Sequence, residues 1–193
     1  KDLGQRFFLQ LCAAIVHEKW FDNNLSCRAL LINALFSKPG SAKYMSLLLT
    51  THPFPDTTLA LWQISELETV FKVELPLSET EENELAGLQN IRRLEWLSSR
   101  WLLHKITGEQ QRLPLAKDAF SKPFFLDQPD LFCSLSHSQG VVGALTARQN
   151  CGCDIQVLVE KMPRIAAKFL GKAEAEFVSK FPESLRFELY HLF

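Results

Sequence analysis

The sequence predicts an α+β fold, and three observations carry that prediction. Between Phe132 and Gln156, three short β-prone runs are separated by polar turns at 136–140 and 148–150. Upstream, Ser78-Glu79-Thr80-Glu81 has the form of a capping box, which opens a long helical pattern. Each half of the chain also reads as a strand followed by a long helix, the order that a diverged duplication leaves.

The elements follow in chain order. Residues 1–44 hold two apolar pieces, Phe7 to Val16 and Leu25 to Phe36, that read as short helices. Ser37-Lys38-Pro39-Gly40-Ser41 breaks the chain, and Met45 with Leu47-Leu48-Leu49 has the look of a new beginning. Residues 1–44 are therefore expected to be an extension, with Met45 a candidate internal start. Leu59, Leu61 and Gln63 alternate with Ala60, Trp62 and Ile64, a strand apolar on both faces. The capped helix is expected to run from Ser78 to Ile106 with a buried stripe of Leu88, Ile91, Leu94, Trp101 and Leu102, and to stop at Gly108. A polar linker at 110–118 divides the chain into an N-terminal part, 45–118, and a C-terminal part, 119–193. Pro163 suits a first helical turn, and Lys172 to Phe181 reads as a further helix bearing Glu174 and Glu176. Leu185, Leu189, Leu192 and Phe193 fall on one helical face with no stop signal after them, so a fragment of a longer chain is expected.

Composition excludes several classes. The chain has 193 residues, 47% hydrophobic, with formal net charge −1, so no global field draws it to nucleic acid or a membrane surface. No apolar run reaches the roughly 18 residues that span a bilayer. Cysteines 12, 27, 133, 151 and 153 are odd in number, and no signal peptide is evident, which points to a reduced, cytoplasmic setting. Cys151 and Cys153 are too closely spaced for an ordinary zinc site.

His137 beside Ser136 and Ser138 suggests nucleophilic catalysis, as does Cys133, but there is no Gly-x-Ser-x-Gly elbow. A carboxylate at a strand end suits Mg²⁺ better. In a regular strand Asp154 and Gln156 point the same way, and Mg²⁺ takes few protein ligands and borrows phosphate oxygens. Lys122, His137 and the helix residues Arg92, Arg93 and Arg100 are then natural phosphate contacts. Arg93 and Arg100 are seven apart and share a helical face, although charges on helices mostly face water.

Four motifs carry a resemblance: Lys122-Pro123; Phe132-Cys133-Ser134-Leu135-Ser136-His137-Ser138; Gly152-Cys153-Asp154-Ile155-Gln156; and Phe169-Leu170-Gly171-Lys172-Ala173-Glu174. In order and spacing they resemble the 4′-phosphopantetheinyl transferase superfamily in its two-lobed, surfactin-type form, from about Leu59 to Phe193. The resemblance implies two pseudo-duplicated lobes, each a small antiparallel sheet packed by a long helix, with the cofactor between them. It implies a monomeric, Mg²⁺-dependent enzyme that transfers the phosphopantetheine arm of coenzyme A to a serine of an acyl or peptidyl carrier protein and releases 3′,5′-ADP. Fatty-acid, polyketide and nonribosomal peptide biosynthesis all use such carriers. By the same likeness Asp154, with Gln156, holds Mg²⁺; Ser136 and His137 meet the 3′-phosphate end of coenzyme A; and Lys122, Arg93 and Arg100 contact its phosphates. Glu174 joins Asp154 in the catalytic set as a site-shaping acid, although its position also suits a plain helix N-terminal charge.

The chain departs from the pattern twice. Gln156 stands where the family usually has Glu, and a neutral carbonyl oxygen is a weaker Mg²⁺ ligand. Residues 187–193 resemble the lead-in to a Trp-Ser-x-Lys-Glu-Ala motif that the sequence does not reach, so weak activity is expected of this chain. Two other readings are a non-catalytic module of the same fold that binds coenzyme A or a carrier protein, and a small hydrolase using Cys133 or Ser136.

Overall fold

The computed structural model describes the backbone of residues 8–17, 27–35, 47–157, 162–183, 186 and 189–190, and side chains from 47 to 155 and, beyond 162, within those same spans. It is a mixed α+β structure built on a six-stranded antiparallel sheet. That sheet contains β3 (Leu47–Thr51), β4 (Thr57–Gln63), β5 (Leu115–Lys117), β6 (Pro123–Phe125), β7 (Phe132–Ser138) and β8 (Val141–Ala147), in the order β3-β4-β8-β7-β6-β5. The helices are α1 (Glu68–Glu74), α2 (Glu79–Ala86), α3 (Asn90–Thr107), α4 (Met162–Ile165) and α5 (Lys172–Ser179). The expected boundary between residues 118 and 119 falls inside the β5–β6 hairpin. β4 from the upstream part pairs with β8 from the downstream part at every position from Thr57↔Ala147 to Gln63↔Val141.

β8 is the centre of this sheet, and its sequence shows why. All seven residues are buried, and they alternate between two cores. Val141, Leu145 and Ala147 join Leu59, Leu61, Cys151 and Ile155 on one face. Val142 and Ala144 join Ala60, Leu102, Leu103, Phe125 and Cys133 on the other, under α3. Strand side chains alternate across the sheet, so a continuous apolar run is what a doubly covered strand needs. The expected two-faced strand at 59–64 behaves the same way, with Leu59 and Leu61 in one core and Ala60 in the other.

Two helical expectations are corrected. Within the pieces expected as helices, Phe7 to Val16 and Leu25 to Phe36, the described residues are strands: Phe8–His17 forms β1 and Cys27–Leu35 forms β2, an antiparallel pair. β1 also pairs with β9 (Cys151–Gly152) and β10 (Ile155–Val157), so its backbone has partners on both edges. An isolated helix of about ten residues is marginal, and such pairing overrides it.

The capped helix is also interrupted. The Ser78–Glu81 box forms as expected, with each partner bonding the other's backbone. However, α2 ends at Gly87, and Asn90 takes a left-handed backbone (φ 51°) where α3 begins. Asn tolerates that region because its short side chain bonds locally. The buried stripe shifts accordingly. Ile91 is exposed, while Leu97, Leu102 and Leu103 are buried. Gly108 ends α3 in a left-handed conformation (φ 70°), the expected stop. A third core, Phe71, Leu75, Leu85 and Leu97, joins α1, α2 and α3. Leu189 is buried, whereas Leu185, Leu192 and Phe193 lie outside the described residues. Among the described residues no helix is long and apolar enough to cross a membrane.

Candidate functional site

The central stretch folds so that its motifs meet. β7 and β8 form a hairpin whose two-residue turn, Gln139-Gly140, has positive φ at both positions (48° and 81°). That is the turn geometry whose twist matches paired strands. The chain then turns at 148–150 and returns through β9 and β10 across the face of β7 and β8. Gly143 on β8 makes this crossing possible. A Cβ there would lie 2.7 Å from Ile155 Cδ1, so glycine leaves the room in which Ile155 settles over the sheet.

The return is locked by serine hydroxyls on β7. Cys153 N–H donates to Ser134 Oγ at 3.0 Å, and Ile155 N–H donates to Ser136 Oγ at 2.8 Å. Ser136 Oγ in turn donates to Asp154 Oδ1 at 3.1 Å. Asp154 lies in the link between β9 and β10 and is exposed. One hydroxyl therefore orients both the backbone and the carboxylate of the third motif. Gln156 is in β10, but its side chain lies outside the described residues.

His137 is adjacent to Ser136 in a strand, so it points to the opposite face. There its Nδ1 sits 2.9 Å from Glu95 Oε2 on α3. The Ser-His pair is thus split by the sheet, and His137 cannot serve as a base for Ser136. Asp154, held by Ser136, and His137, held by Glu95, therefore lie on opposite faces of the sheet. β6 pairs with β7 only at Phe124↔Phe132, and among the described residues no other strand takes that side.

Lys122 stands near the other end of β7, where its Nζ bonds Asn150 Oδ1 in the turn before β9. Its charge acts on Cys133 and Cys151, yet burial dominates both thiols and pushes them up, to about 12 and about 11. Cys133 is 1% exposed and donates to Pro123 O. A buried neutral thiol is not a nucleophile, which removes the physical basis for Cys133 chemistry.

The helix arginines are not brought to this place. Arg93 grips Glu68 on α1 through Nε and Nη2, both at 2.8 Å, and also donates to Leu85 O. The hydrogen bonds from Arg93 to its carboxylate hold Glu68 down at about 2. Arg100 stacks on the Trp96 ring, 3.6 Å from its centroid, and lies 3.8 Å from Glu81 and 3.7 Å from Glu84. Burial pulls its guanidinium down to about 10, still cationic at neutral pH. Glu81 also receives a two-pronged contact from Arg112. These charges border a cavity of about 700 Å³ between α2 and the β5–β6 hairpin, whose lining does not include Ser136, His137 or Asp154. Glu174 is likewise engaged: its Oε2 accepts from Gly171 N–H at 2.6 Å, the contact of a helix start.

Glu95 is the residue that sequence reasoning missed. It is 5% exposed and accepts from Gly140 N–H at 3.0 Å as well as meeting His137. A signal existed. Glu95 lies seven residues after Leu88 and seven before Leu102, an acid within the expected buried stripe.

Among the described residues no group of three or more His, Cys, Asp or Glu side chains is placed to hold a metal ion. Asp154 offers an exposed carboxylate, the kind of hard oxygen donor that a hydrated Mg²⁺ takes with few protein ligands. No protein-family model matches the chain, and no curated protein matches it.

Proposed function

We propose that this chain carries the coenzyme A site of a two-lobed 4′-phosphopantetheinyl transferase. The reaction is Mg²⁺-dependent transfer of the phosphopantetheine arm from coenzyme A to a carrier-protein serine, with release of 3′,5′-ADP. The observation that supports this reading is the 3.1 Å bond from Ser136 Oγ to Asp154, which ties the second of four family-like motifs to the third on an exposed surface. Four motifs in family order support it as sequence. The bond supports it as geometry.

In this reading Asp154 and Gln156 are the residues that hold Mg²⁺, which when bound neutralises charge growing on the pyrophosphate. Ser136 orients Asp154. His137 and Lys122 hold phosphate oxygens from the two ends of β7, lining the nucleotide along the strand edge. Arg93 and Arg100 contribute by holding the helices together, because each is already engaged by glutamates.

The test is the mass of a purified apo carrier protein after incubation with this chain, coenzyme A and Mg²⁺. The expected result is a phosphopantetheine-sized increase on one serine, abolished by Asp154→Ala. A carrier of unchanged mass, together with no measurable coenzyme A binding, sinks the proposal. The engagement of Arg93, Arg100 and Glu174 favours a second reading, a module that binds coenzyme A or a carrier without transfer. Binding without a mass change selects it.

A further inference from the structure

We infer that Glu95 is a positioning residue: its carboxylate fixes a proton on His137 Nδ1, so that Nε2 is the ring atom presented to an anionic group. Its relevance to a phosphate rests on the proposed function above; the assignment of the proton does not. Glu95 is 5% exposed, and a carboxylate buried that deeply is kept only where its oxygens are hydrogen-bonded. Both are. Oε1 accepts from Gly140 N–H at 3.0 Å, and Oε2 lies 2.9 Å from His137 Nδ1. An ionised carboxylate only accepts, so Nδ1 must be the donor. The imidazole side chain is 45% exposed, which leaves Nε2 as the nitrogen facing solvent.

The chemistry at Nε2 follows. In the neutral ring this atom carries a lone pair and cannot donate to a phosphate oxygen. Contact with a phosphate therefore takes one proton from solvent onto Nε2, and the ring becomes an imidazolium flanked by the Glu95 carboxylate and the phosphate. Glu95 supplies the balancing charge from the buried side. Through Gly140 the same carboxylate holds the β7–β8 turn, so the ring and the turn are set by one group. A neighbouring acceptor commonly decides which imidazole nitrogen is protonated.

The experiment is two-bond ¹⁵N–¹H correlation on protein with ¹⁵N-labelled histidine, at alkaline pH where the ring is neutral. The Nδ1–H form is expected for His137. In Glu95→Gln the side-chain amide donates to Nδ1, and the Nε2–H form is expected instead. Affinity for 3′,5′-ADP should fall about tenfold in that variant, the scale of one charge-assisted hydrogen bond. An Nε2–H form in the unmodified protein overturns the inference, as does an unchanged tautomer in Glu95→Gln. Should Glu95→Gln fail to fold, the tautomer of the unmodified protein decides alone. If the tautomers behave as expected but neither coenzyme A nor 3′,5′-ADP moves the His137 signals, Glu95 keeps its role and the transferase reading falls.

Discussion

The helical corner formed by α1, α2 and α3 and the strand junction formed by β7, β9 and β10 both concentrate polar side chains, yet they use them oppositely. In the corner every prominent cation faces an acid. Arg93 meets Glu68, Arg112 meets Glu81, and Arg100 lies between Glu81 and Glu84. At the junction the polar groups are hydroxyls that bond backbone N–H groups and a carboxylate that reaches the surface, as Ser136 and Asp154 do. The charges that look most like ligand contacts in the sequence are the ones the fold consumes. A modest hydroxyl-carboxylate pair is what it leaves facing outward.

The sharpest way to break this contrast is to remove the acid at the heart of the corner. Glu81→Ala leaves Arg112, whose side chain is about nine-tenths buried, without its acid, and leaves the equally buried Arg100 with Glu84 alone. Breaking a buried pair typically costs about 3–5 kcal/mol, so the urea midpoint should drop steeply. A change under about 1 kcal/mol would mean the corner is not structural. Asp154→Ala is the complementary experiment. Its stability should stay within about 0.5 kcal/mol, as for an exposed substitution, while carrier modification falls at least about a hundredfold. A loss of stability as large as that of Glu81→Ala would erase the distinction between the two regions.

Gly143→Ala joins the two readouts. The added methyl meets Ile155 Cδ1 at 2.7 Å and Leu61 Cδ2 at 3.2 Å, and overpacking of this kind costs about 1–3 kcal/mol. Because Ile155 follows Asp154 directly, coenzyme A binding should weaken together with stability, which titration calorimetry can follow. Glu68→Gln should have the smallest effect, at most about 1 kcal/mol, since the Arg93 pair is partly solvated. Its pH signature is specific. The folded carboxyl sits at about 2 against an ordinary 4.5, so its stabilisation is complete above pH 4.5 and is lost as pH falls toward 2. Denaturation midpoints of the parent and the variant should converge over that window.

Local signals were legible in the sequence wherever one residue type has one physical reason. The Ser78–Glu81 box, the Gly108 stop and the two-faced strand around Leu59 all formed as read. Two kinds of information were not local. Phe8–His17 took strand pairing because β9 and β10 lie far along the chain, and no window around residues 8–17 contains them. The fate of Arg93 and Arg100 was hidden for a similar reason. Helical spacing puts them on one face, but Glu68, Glu81 and Glu84 decide what that face does. Gly87 and Asn90 were readable as a break in hindsight only, since each is tolerated singly within a helix.

The pairing of β1 with β9 and β10 has a consequence for the order of assembly. On the ribosome β1 and β2 emerge before β9 and β10, and well over a hundred residues must follow before Cys151 and Gly152 can reach Val16 and Ile15. Until then one long edge of β1 has no mate, and contacts so distant in sequence close slowly. The link that bears Asp154 is thus placed only when these distant contacts close, and its arrival completes the sheet built on β1 and β2.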